Sequence, residues 1–400
     1  MRKMKFIAVM ILLMMIPAVL SGCWDMVEIN DRLCVRGMGL DTGSREDMIK
    51  VTFQMLVPHE TNDTEGTPVY QTMTVEASTI SEAVAYLAEN VEQQVHFEHL
   101  SAIVLGSVLA QQRPLEVMDY FHRTSQVRRN AEVAVVMGKA QSLLEASISG
   151  GGVGEYVETM IKTHETEDGP SVQPSALSRL FVYRANGEDF YLPVLTYAPG
   201  EEQKEGETGG QGKQDEKAQK GEASPAQELT LAGAYLYDGV EFSGMLDAGE
   251  LELLRLLQGK TEHITVTLSQ REGLPGRMAF RVEKLSNQMQ CRTEADHFSF
   301  PMQIRAECVF QEAMGKLPED TQELYDRMEK ALEKHITQMV EVLISHVRRE
   351  GADVMGFEKL VRQSRHAWYQ AHRDRWPDYF ENAHIPVEVQ VTLRRGGYLE

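Results

Sequence analysis

Few residues in this 400-residue chain stand at spacings that could do chemistry. Gly259-Lys260-Thr261 resembles the tail of a phosphate-binding loop, but Leu254 stands five residues earlier, where such a loop needs glycine. A helix stop followed by a strand is the reading that fits. His96 and His99 flank Glu98 without forming His-Glu-x-x-His, and two histidines three apart at a strand end point to opposite faces. No metal site is expected, and His99 reads as a structural residue hydrogen-bonded beneath the next strand. There is neither Gly-x-Ser-x-Gly nor Ser-x-x-Lys, and Cys34, Cys291 and Cys308 lie in apolar or strand-like contexts that suit free, buried thiols. No catalytic group and no cofactor is predicted.

One cysteine differs. Arg2, Lys3 and Lys5 precede an uncharged, mostly apolar run from Phe6 to Leu20, too short for a stable bilayer span and suited to an export signal. The run ends in Leu20-Ser21-Gly22-Cys23, which is similar to the bacterial lipobox, whose cysteine is thioether-linked to diacylglycerol before cleavage just ahead of it. The expectation is a signal peptide over 1–22, a lipid on Cys23 and an outward-facing protein; an exported protein with an incidental cysteine is the alternative. Loss of residues 1–22 removes Arg2, Lys3 and Lys5, taking 40 basic residues to 37 against 60 acids, a net of −23. Such a chain is repelled by phosphate backbones, so nucleic acid is not an expected partner, and the lipid is the main attachment to a membrane.

Directly after this anchor come Cys23-Trp24-Asp25, then Glu28, Asn30 and Asp31, then Gly37-Met38-Gly39-Leu40-Asp41. This resembles the start of the Ger(x)C family, the lipoprotein C subunits of bacterial spore germinant receptors. Weaker matches follow in order: His99 before Ser101 to Gly106, Arg123 and Arg128, Leu192-Pro193, Gly233, then Asp353, Gly356, Trp368, Trp376 and Gly396. The resemblance implies a non-enzymatic subunit acting in spore germination with membrane-embedded A and B subunits, anchored at the outer face of the spore inner membrane. Trp24, Asp25, Glu28 and Asp41 are the candidates for docking to a protein surface; a solvated spacer is the alternative for the first three. A solute-binding lipoprotein of a transporter is the rival function, and it calls for two doubly wound lobes.

The elements that must carry these residues divide at 199–228, which holds six glycines, eight acids and four lysines but no large apolar residue. It reads as a polar linker with a reach of roughly 30 Å, or else as a loop inside one domain. The expected class is mixed α+β and multi-lobed. An N-terminal α/β region over 23–198 is expected, divisible at the glycines 150–152 into lobes 24–148 and 153–198. Within it, Ser81 is placed as a helix cap, Pro114 in the first turn of a helix through Arg123, and Ala131 to Val136 as a buried strand. Residues 229–400 are expected to form an antiparallel sheet covered by helices. A hairpin at Asp238-Gly239, a helix capped by Asp247, and a long helix behind Asp320-Thr321-Gln322-Glu323 with Leu324, Met328, Leu332, Met339, Leu343 and Val347 inward are its parts. A second helix from about Glu358 should end before Pro377, with Trp368 and Trp376 on one core-facing side, and Val387, Val389 and Val391 should line one face of a last strand.

Overall fold

A computed structural model describes Met10 and residues 32–61, 68–114, 117–146, 151–163, 175–197, 229–261, 263–269, 274–294, 297–314 and 322–394. Cys23, Trp24, Asp25, Glu28 and, of the expected capping box, Asp320 and Thr321 lie outside these residues.

The larger sheet runs β3 (Pro68–Ala77), β2 (Ile49–Thr61), β1 (Arg32–Thr42), β5 (Ala102–Gly106), β6 (Glu132–Val136), β7 (Phe190–Tyr197), β8 (Leu229–Asp238) and β9 (Glu241–Asp247), with the short β4 (Gln94–His96) also on β1. Its centre, β1-β5-β6-β7, is parallel. Every residue of β5 and of β6 is buried, as strands covered on both faces require. One face packs under α1 (Ile80–Asn90), α2 (Ser107–Gln112), α3 (Met118–Arg123) and α6 (Leu177–Asn186), through Ile103, Leu105, Val133 and Val135. The other face offers Ala102, Val104, Ala134 and Val136 to α4 (Ala140–Leu144) and α5 (Val153–Thr163). Alternate residues of the same strands thus feed two cores.

The smaller sheet, β10 (Ile264–Leu268), β11 (Arg277–Met289), β14 (Met302–Met314) and β15 (Val387–Arg394), is antiparallel except that β15 joins β14 in parallel. The crossover that permits this is helical: α8 (Gln322–Glu350), α9 (Phe357–Ser364), α10 (His366–His372) and α11 (Trp376–Glu381). Helix α8 buries Leu324, Met328, Leu332, Leu343 and Val347 as expected, with Met339 partly buried, and ends at Gly351 with φ +79°. Between β11 and β14, β12 (Arg292–Glu294) and β13 (His297–Ser299) form a separate ladder.

Several expectations are corrected. The strands flanking 199–228 pair with each other antiparallel along β7 and β8, and β8 and β9 complete the larger sheet. The segment therefore connects strands that are neighbours in one sheet, the arrangement that the loop alternative describes. The glycines at 150–152 do not open a second lobe, because α5 packs on β1 and β7 pairs with β6. Thr79, not Ser81, caps α1, accepting from Glu82 N–H at 3.1 Å, since buried Ile80 must already belong to the helix. Pro114 falls between α2 and α3 and opens neither; Pro377 lies in the first turn of α11 and does not end a helix. Trp368 and Trp376 therefore sit on different helices, yet both rings meet Phe298, at 4.5 and 6.4 Å between centroids.

Candidate functional site

The Gly37–Asp41 motif folds into a docking floor for helices. A Cβ on Gly39 would lie 2.8 Å from Leu144 Cδ1 and 3.1 Å from Ala140 Cβ, and one on Gly37 would lie 3.1 Å from Leu144 Cδ2. Only glycine lets α4 come this close to β1. Helix α5 comes closer still, since a Cβ on Gly154 would stand 2.2 Å from the carbonyl oxygen of Arg36. Asp41 closes the motif. It is buried, and its carboxylate accepts from the Ala140 and Gln141 amides at 2.8 and 2.9 Å, satisfying the first amides of α4. Burial raises its pKa, opposed by those two amides and by Lys139 and Lys50. With both oxygens engaged inside the fold, Asp41 is a helix anchor and presents no docking surface. Gln54 completes the arrangement, donating to Leu144 O at 3.0 Å and accepting from Gly154 N–H at 3.2 Å.

The second concentration of polar groups is the seam between the two sheets. Helix α7 (Ala248–Leu257), held by a capping box between Asp247 and Glu250, carries leucines into the core that Leu236 and Leu246 share with the smaller sheet. At one end of this seam Asp353 caps α9. Its carboxylate accepts from Gly356, Phe357 and Glu358 amides at 2.9, 2.9 and 2.5 Å. Its own N–H donates to Asp189 at 2.6 Å, and Asp189 also accepts from Gly239 N–H, at 2.8 Å, in the β8–β9 turn. Arg362 pairs with Glu188, and Tyr369 donates to Glu358. Burial pushes Asp353 up to about 8 and Asp189 to about 6, against the pull of these amides. A cleft of about 300 Å³ opens beside them, lined by Arg179, Lys260 and Lys359 as well as by Glu188 and Glu358. Asp353 and Gly356 were visible as matches in the sequence; the partnership with Asp189, 164 residues away, was not.

The remaining sequence candidates separate. Gly259, at φ +67°, terminates α7, and Lys260 N–H returns to Arg255 O at 2.8 Å, so the Gly-Lys-Thr run is a helix stop. His99 is exposed in the turn between β4 and β5, not hydrogen-bonded beneath a strand as expected; its pKa is lowered by partial desolvation and by Arg36 and Arg128. Cys34, Cys291 and Cys308 are free; Cys308 is buried and the other two half-buried. Among the described residues no group of three or more His, Cys, Asp or Glu side chains could hold a metal ion. Among those same residues no helix is long and apolar enough to cross a membrane.

A covered sheet with a parallel centre, joined through a packed seam to a helix-wrapped smaller sheet, defines a two-domain α/β protein. The crystal structure of the GerBC protein has this fold: TM-score 0.55 over 92% of this chain and 99% of that one, at 14% identity. The chain belongs to the GerAC family of spore germination proteins: residues 25–197 match the spore germination protein N-terminal domain and residues 232–397 the B3/GerAC-like C-terminal domain. Among its relatives in Bacillus subtilis, YfkR is 23% identical over 97% of this chain and 96% of its own length. Spore germination protein B3 is 20% identical over 94% of each.

Proposed function

We propose that this spore germination protein is the lipid-anchored, non-catalytic subunit of a nutrient germinant receptor. A diacylglycerol on Cys23 holds it at the outer face of the spore inner membrane, where its two domains assemble with, or couple, the membrane-embedded A and B subunits. The observation that carries this reading is the match of both family domains along the chain, beginning at residue 25, two residues behind the lipobox cysteine. The polar clusters at Asp41 and Asp353 support it, because each is spent on capping a helix and fixing how elements pack.

Spores lacking the protein are expected to form normally, to lose the response to one nutrient set, and to respond to stimuli that bypass its receptor. Cys23→Ser should reproduce the loss with the fold of residues 24–400 intact. Normal germination with every nutrient tried, together with no membrane subunit co-purifying from solubilised spore membranes, would overturn the receptor reading. A mature N-terminus without a lipid mass would overturn the anchor.

A further inference from the structure

A chain this acidic should avoid anionic surfaces, but its charge is unevenly placed. Strand register gathers basic side chains where the central strands begin. Arg32 lies opposite Gln94 and Cys34 opposite His96, while Ala102 lies opposite Glu132, just after Arg128 and Arg129. Ser101 N–H donates to Arg36 O, which brings the His99 turn to the same end. Arg128, Arg129 and Asn130 are exposed. Arg36 is committed to Glu155 at 3.1 Å, and Glu98 stands beside His99. Arg129 donates to the His122 carbonyl at 3.1 Å and stacks over Phe181, which leaves its charge uncompensated. Among the described residues no carboxylate pairs with Arg128 or Arg129.

This end is also where the tether arrives. Strand β1 begins at Arg32, nine residues after Cys23, and nine residues extend to at most about 30 Å. Whatever holds Cys23 holds this end nearest to it. At physiological salt, charges more than about 8 Å away are largely screened, so the groups at this end, the arginines together with exposed Glu92 and Glu98, and not the net charge of the chain, decide what a nearby surface feels.

We propose that the end of the sheet carrying Arg32, Arg128 and Arg129 is a docking surface for anionic phospholipid headgroups, orienting the tethered protein with its parallel strands pointing away from the bilayer. The proposal rests on lipidation of Cys23, and it gives a role to Arg128, which the family resemblance had singled out.

The test uses the full lipidated chain in phosphatidylglycerol-containing vesicles. A photoreactive residue is placed at exposed Asn130, or at exposed Met137 just past the far end of β6. Lipid adducts at position 130 should exceed those at 137 by at least about tenfold. They should fall to the level of 137 in Arg128→Glu/Arg129→Glu, and in phosphatidylcholine vesicles, while Arg128→Lys/Arg129→Lys keeps them; loss of two such charges alone weakens contact on the order of 30-fold, and their reversal weakens it further. Equal labelling at both positions, or labelling indifferent to charge reversal, overturns the orientation. Adducts at 130 to a protein in native spore membranes, in place of lipid, overturn it as well. Intact mass separates the two readings: unmodified protein absent from the vesicles overturns both, whereas lipidated protein that floats but labels evenly overturns only this one.

Discussion

Two aspartates do the same work in two neighbourhoods. Asp41 on β1 and Asp353 before α9 are both buried, and each accepts backbone amides at the start of a short helix. Around Asp41 the charges are Lys50 and Lys139, which favour the carboxylate. Around Asp353 they include Asp189, which opposes it. Burial raises both carboxyls; the contrast teaches that nearby lysines restrain the rise in a cap inside one domain, whereas at the seam between two domains a second carboxyl adds to it.

The largest effect is therefore expected at the seam. Asp353→Ala removes the acceptor of three amides, one of them fully buried, and should destabilise by about 3 kcal/mol in chemical unfolding. Asp353→Asn keeps an acceptor but cannot titrate. An unfolded aspartate titrates near 3.9, so with native values of about 6 and about 8 the folded chain binds more protons between pH 4 and 8. Stability from these groups is complete below pH 4 and is lost as pH rises through 6 and then 8. Melting temperatures recorded across that range should show the upper part of the fall in wild type and its disappearance in Asp353→Asn. An unchanged profile would mean that Asp353 is ionised throughout, and the contrast with Asp41 would collapse.

Effects at Asp41 should be smaller. Asp41→Ala strands two amides, one fewer than Asp353→Ala, a loss of about 1–2 kcal/mol. Gly106→Ala attacks the same cap from the next strand, because its Cβ would fall 2.0 Å from Asp41 Oδ1. A cost of about 2 kcal/mol is expected, shrinking in the Asp41→Ala background, where the obstructed carboxylate is gone. Strict additivity in the double variant would show that Gly106 matters for some other reason.

What the sequence disclosed follows from range. The Asp247 cap, the Asp238-Gly239 turn, the inward face of α8 and the buried strand β6 depend on neighbours a few residues away, and all were legible. Errors came where distant contacts decide. Asp41 looked like a docking residue because nothing near it in sequence shows that Ala140 and Gln141 claim its oxygens. His99 looked buried beside an apolar strand, yet the turn before β5 carries it outward. Pro377 looked like a stop, though proline suits the first turn of α11 equally well. The seam was hidden for the same reason: a polar stretch such as 199–228 is equally compatible with separate bodies and with a hairpin, and only the pairing of β7 with β8 distinguishes them.

That last ambiguity gives the smallest expected effect and the sharpest test of the seam. A protease site placed within 199–228 cuts one connection between strands that are hydrogen-bonded along their length, in a sheet whose β8 and β9 share a core with α7. Opening such a connection releases loop entropy without exposing apolar surface, so the two pieces should co-elute and the melting temperature should barely move. Were 199–228 a linker, the pieces would part on cutting. The nicked protein also reports on Asp353, because the seam and the β7–β8 ladder then hold the pieces together without a covalent connection. Nicked Asp353→Ala should separate at denaturant concentrations that leave nicked wild type and nicked Asp41→Ala intact, since only Asp353 lies on the surface the pieces share. Separation of all three at the same concentration would show that strand pairing carries the association and that the buried aspartates are interchangeable after all.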